Sequence, residues 1–111
     1  MTLMTPALPL HCIFTGIQCS TAHITDHDNE RFYQLSHDQS EYSDAEWIHF
    51  TGTGYLLRLN AWQHPVLRLK RLGMSKACRR LILAQCHQYA ITSIHFDAAG
   101  DVLPGVERFD W

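Results

Sequence analysis

A chain of 111 residues that is 46% hydrophobic and 18% charged has the composition of a globular protein with one core, and its length gives no reason to divide it. At this size folding buries roughly 65% of the unfolded-chain surface, so the domain can fold without a disulfide or a structural metal. The formal net charge of −2 argues against avid non-specific nucleic-acid binding, and no apolar run approaches the roughly 20 residues that cross a bilayer.

The opening MTLMTPALPL has no Lys or Arg and two prolines, which makes it a poor signal peptide. Residues 1–9 read as a flexible N-terminus on a single domain, 1–111. A soluble, cytoplasmic protein is expected, with Cys12, Cys19, Cys78 and Cys86 reduced. HCIFTGIQCS, residues 11–20, reads as a first strand that Gly16 weakens or bulges. Thr25 is a good helix N-cap with Asp28 three residues on, and Asp26, Asp28 and Glu30 suit the positive end of a helix dipole. That helix should run to about Leu35. HDQSEYSDAE, residues 37–46, is polar and turn-rich and reads as a surface loop.

From Trp47 the period changes to two. WIHFTGTGYLLRL is broken by the TGTG turn at 51–54, and VLRLKRL at 66–72 alternates again, so two or three antiparallel strands are expected. Asn60 to Pro65 supplies the connecting turn. Gly73 ends the sheet segment, and Ser75 caps a second helix, SKACRRLILAQCHQYA. On a helical wheel Cys78, Leu81, Ile82, Cys86 and Tyr89 share one side, and Lys76, Arg79, Arg80 and His87 the other. Gln85 falls inside the apolar face without an evident partner. The last strand is ITSIHF, 91–96. The order β, α, two or three β, α, β suggests an α+β sandwich, one antiparallel or mixed sheet with two helices on one face. Phe109 and Trp111 are expected to pack as the tail turns back across the sheet.

Charge is segregated along the chain. Seven acidic residues precede Trp47 and four follow Phe96, while seven of the nine basic residues lie in 47–96: Arg58, Arg68, Lys70, Arg71, Lys76, Arg79 and Arg80. Arg68 and Lys70 at alternating strand positions, with Lys76, Arg79 and Arg80 on a helix face, could form a patch for phosphates or for an acidic protein. The same residues could equally form a solvated surface.

Chemistry is sparser. Asp97 and Asp101 flank AAG after the last strand, a place where hard cations bind, but two carboxylates are few for such a site. The ordinary role of Asp97 and Gly100 is a tight turn, with Gly100 taking positive φ. Ser20, Thr21 and His23 lie between a strand and a helix, where they could bind an anion or supply a nucleophile, although there is no GxSxG; satisfying backbone groups is the usual role of such Ser and Thr. His23 and His27 are four apart, yet neither HExxH nor CxxC is present. No metal and no cofactor is expected.

STAHIT from Ser20, TGTGYLLRL from Thr51 and the terminal IHFDAAGDVLPGVERFDW together resemble a small bacterial family of domains of unknown function. Its members carry a strand leading into STAH, a glycine-aromatic strand, an FDADG-like turn and an aromatic-Asp-Trp ending. Ala99 stands where members often have Asp, which removes a carboxylate from the turn. The resemblance implies a setting on plasmids, prophages and integrative elements, among antirestriction and other accessory genes. A non-enzymatic anti-defence protein, an inhibitor of a CRISPR or restriction system that binds a protein component of the host, is therefore the first expectation. Two others stand beside it: a nucleic-acid-binding regulator using the basic 58–80 segment, and a small hydrolase built on Asp97, Asp101 and His23. Should the basic face not be used, His23, Tyr42, Trp62 and Trp111 are the next candidates for a partner surface.

Overall fold

The computed structural model describes residues 7–9, 12–38 and 46–111. Tyr42 and most of the expected 37–46 loop lie outside them, as does most of the segment 1–9. Among the described residues four strands and three helices follow one another as β1 (Gly16–Ser20), α1 (Asp26–Ser36), β2 (Ile48–Phe50), β3 (Gly54–Arg58), α2 (Pro65–Arg71), α3 (Lys76–Tyr89) and β4 (Ser93–Asp97). The result is one α+β domain around a mixed sheet of order β1-β4-β3-β2. β4 runs parallel to β1 and antiparallel to β3, and β2 and β3 form an antiparallel pair. The last strand in the chain is thus threaded between the first and third.

Two helices carry the caps that their sequences announce. The Thr25 hydroxyl accepts the Asp28 N–H while the Asp28 carboxylate accepts the Thr25 N–H, a complete capping box. Ser75 accepts the Cys78 N–H at the start of α3. One expected element is corrected: 66–72 is not a strand but the helix α2, which brings the helices to three. Pro65 occupies its first turn, where the missing N–H costs nothing. Leu69 is the residue it buries completely. Within VLRLKRL, Val66, Leu69 and Leu72 also lie three apart on one helical face and pack on the core, and a seven-residue segment does not separate the two periods. Gly73, at φ +90°, ends this helix rather than a strand.

The sheet buries one face. Ile48, Leu57 and Ile94 are register partners, as are Tyr55, Phe96 and Cys19, and all six are buried with Phe32 and Leu35 of α1, Leu69 of α2, and Leu81 and Ile82 of α3. On the other face His49, Leu56, His95 and Gln18 form a row across all four strands, and none of them is buried. β1 is shorter than expected, and Gly16 makes no bulge, since it pairs in regular register with Ser93. Two glycines are required by close approach. A Cβ on Gly54 would stand 1.7 Å from the Phe96 carbonyl oxygen, and one on Gly100 would stand 2.5 Å from the Cys19 carbonyl oxygen. Contrary to expectation Gly100 does not take positive φ; among the glycines that belongs to Gly52, Gly73 and Gly105.

Candidate functional site

The STAH segment and the C-terminal tail form one structure. Ser20 closes β1, and its hydroxyl accepts the Ala22 N–H to cap the short 3-10 turn Thr21–His23. Its own N–H donates to the Asp101 carbonyl. His23 is 1% exposed. Its Nε2 accepts the Leu103 N–H at 2.8 Å, so Nδ1 carries the hydrogen and donates to the Glu107 carbonyl at 2.9 Å. Further along, the Phe109 N–H donates to the Ala22 carbonyl and the Trp111 indole N–H to the Ile24 carbonyl. Five residues between Asp101 and Trp111 are thus pinned to the segment Ser20–Ile24. Leu103 and Val106 also pack against the core, whereas Phe109 is half-buried and Trp111 remains 52% exposed, so the two aromatics pack less fully than expected.

With both His23 nitrogens engaged by backbone, the structure does not bring it together with Asp97, Asp101 or Ser20 as a catalytic group. Asp97 sits at the end of β4, where its carboxylate accepts the Ala99 N–H and the Thr53 hydroxyl. Those bonds, the Ala99 N–H first, hold its carboxyl below the usual carboxylate range, with His95 adding to them at 3.6 Å. Asp101 contributes its backbone carbonyl instead. His27 reaches away from His23 to the Gly73 carbonyl. Among the described residues no group of three His, Cys, Asp or Glu is placed to hold a metal ion.

The basic residues fall into separate places. Arg58 projects from β3 on the open sheet face and donates to His49 Nε2. Arg68 and Lys70 do not share a side, because in a helix residues two apart point in nearly opposite directions. Arg68 lies with its guanidinium 3.8 Å above the Trp62 ring, and Arg71, one turn on, lines the same small hollow. Arg79 donates to the Met74 carbonyl and so braces the α2–α3 connection. Lys76 and Arg80, one turn apart on α3, line a different and larger feature.

That feature is a cleft of about 550 Å³ between α3 and the tail. Lys76 and Arg80 stand on its helical wall. Leu81, Ala84, Val106 and Phe109 supply apolar surface, and Glu107 is the single acidic residue lining it among the described residues. Gln85, the polar residue on the apolar side of α3, lines this cleft and a neighbouring groove beside β1. Its place in the sequence pattern is explained by that: the tail and not the sheet lies opposite it. No described helix is long and apolar enough to cross a membrane.

A buried carboxylate that sequence reasoning saw only as a cap turns out to join the two long helices. Asp28 is fully buried and accepts the Ser75 N–H at 2.7 Å and the Ser75 hydroxyl, besides the Thr25 N–H. One side chain therefore serves the N-termini of both α1 and α3 and fixes the helical wall of the cleft. The capping-box spacing locates Asp28 in the sequence; nothing there points to Ser75.

The architecture defines a small α+β domain with a one-sided mixed sheet and a C-terminal tail stapled to its first turn. Residues 16–111 match the model for a family of unknown function (DUF5983), C-terminal domain, and the chain belongs to that family. No curated protein and no solved structure matches it.

Proposed function

We propose that this protein is a non-enzymatic binding protein that acts in the cytoplasm and takes a segment of a partner protein into the cleft between α3 and the tail. The observation that carries the reading is the pairing, within one cleft, of Lys76 and Arg80 with apolar surface from Leu81, Ala84, Val106 and Phe109. Cations beside an apolar floor suit a segment with acidic and apolar side chains, because the apolar contact gives affinity and the charges select and steer. The residues suited to hydrolysis are committed otherwise: Ser20 caps a turn, His23 holds the tail, and Asp97 closes a loop. The basic residues of 58–80 occupy separate sites, which favours a local protein contact over a continuous phosphate track. The mobile-element setting implied by the resemblance makes a host-defence component, of a CRISPR or restriction system, the class of partner.

The test is capture from a host lysate with the tagged protein, run beside a Lys76→Glu, Arg80→Glu double variant. Both side chains are exposed, and exposed charges contribute little to stability, so the variant should fold like the parent. A partner held by the parent and lost by the variant supports the reading. Equal capture by both refutes the cleft as the binding surface.

A further inference from the structure

A second site lies at the start of α2, away from the α3–tail cleft. A hollow of about 190 Å³ is lined by Trp62, Gln63, His64, Leu67, Arg68 and Arg71. Its lining is rich in hydrogen-bond donors: two guanidinium groups, an imidazole, a primary amide and an indole, with no carboxylate among the described lining residues. The Arg68 guanidinium lies 3.8 Å over the Trp62 ring, within the range of a cation–π contact, which orients its donors. The Trp62 indole Nε1 is the one buried side-chain polar atom among the described residues with no hydrogen-bond partner. An indole nitrogen can only donate, and a buried donor left unpaired is costly.

We propose that this hollow is a binding site for a phosphoryl group, free or as the monoester of a small molecule, with Arg71 and the Trp62 indole N–H as its principal donors. The charge and the donor-only chemistry select an oxyanion. Arginine forks match the geometry of phosphate oxygens, and the monoester carries close to two negative charges at neutral pH. The volume holds the phosphoryl group itself, and the remainder of an ester would lie over Leu67 at the rim. Arg68 acts chiefly as the guanidinium wall fixed on Trp62, and the site does not require it to be otherwise unengaged. The site is independent of the proposed protein-binding cleft, since none of its residues lines that cleft.

The experiment is a calorimetric titration of the full chain with inorganic phosphate and, separately, with phenyl phosphate, at constant ionic strength, and with acetate as the control anion. Saturable binding of phosphate or its ester, with no binding of acetate, is expected. Arg71→Gln should weaken it by about tenfold or more, the loss of one charge-assisted pair. Trp62→Phe keeps a ring under Arg68 but removes the N–H, and should weaken binding by a smaller factor with the thermal midpoint little changed. Tighter binding of the ester assigns the monoester, and equal binding assigns free phosphate. No saturable binding by the parent, the same binding by Arg71→Gln, or a matching response to acetate overturns the proposal.

Discussion

Replacing Asp28 with Ala should cost this protein more than any other single change among its helix caps. The carboxylate accepts three hydrogen bonds, from the Thr25 N–H, the Ser75 N–H and the Ser75 hydroxyl, in a fully buried position. Removing it strips an acceptor from the first turns of two helices at once. A lost cap is worth about 1 kcal/mol, and a charge-assisted bond in a buried setting rather more, so the sum is about 3 to 4 kcal/mol. Against a total of about 5 to 15 kcal/mol for a domain, that is a large share. Thr25→Ala removes only one side of the capping box and should cost about 1 kcal/mol. Asp28→Asn keeps one acceptor oxygen but turns an NH2 toward groups that also donate, and should fall between the two. Urea unfolding followed by tryptophan fluorescence reads the order directly through the midpoints, provided that the slope is unchanged. If Asp28→Ala costs no more than Thr25→Ala, the link from α1 to α3 contributes nothing and the argument fails.

Gly54→Ala should destabilise by about 3 kcal/mol or more, because its Cβ meets the Phe96 carbonyl oxygen and must force β3 off β4; Gly52→Ala, where no atom lies within 4 Å, should cost less, and thermal midpoints compare them. Asp97 has a lowered pKa in the folded protein, through the Ala99 N–H first and then the Thr53 hydroxyl, so its stabilisation is complete above the ordinary carboxylate pKa of about 3.9 and is lost as the pH falls through the folded value. The stability gap between the parent and Asp97→Asn should therefore be present at neutral pH and close in acid; a gap independent of pH refutes the hydrogen-bond account. Burial pushes the Cys19 thiol up to about 11 and raises those of Cys78 and Cys86, while Cys12 is exposed. Brief alkylation of the native protein near pH 8 should accordingly label Cys12 alone by peptide mass mapping, and rapid labelling of Cys78 would contradict its burial.

Local signals in the sequence were sufficient for what neighbouring residues settle among themselves. The Thr25–Asp28 capping box, the Ser75 cap and the apolar side of α3 were all legible, because each rests on contacts within a few positions of the chain. The turn after β4 was legible at Asp97, whose carboxylate bonds Ala99 two residues on, but not at Gly100, whose small size is required by Cys19, distant in sequence. α2 is not separable from a strand in the sequence because Leu67 to Lys70 alternate while Val66, Leu69 and Leu72 lie three apart, and burial of Leu69 in the core decides for the helix. The site was harder still. Nothing local shows that STAH holds the tail, that Asp28 reaches Ser75, that Arg68 leaves Lys70 to lie on Trp62, or that Lys76 and Arg80 face Val106 and Phe109. Those pairings join residues from 6 to 87 positions apart in the chain. The tail pairings among them exist because β4, the last strand, enters between β1 and β3 and carries the tail back to the first turn. The sequence determined which segments form helices and strands where their pattern was long enough, and tertiary structure decided which polar groups met, since a buried donor or acceptor takes whatever partner the packed core brings within reach.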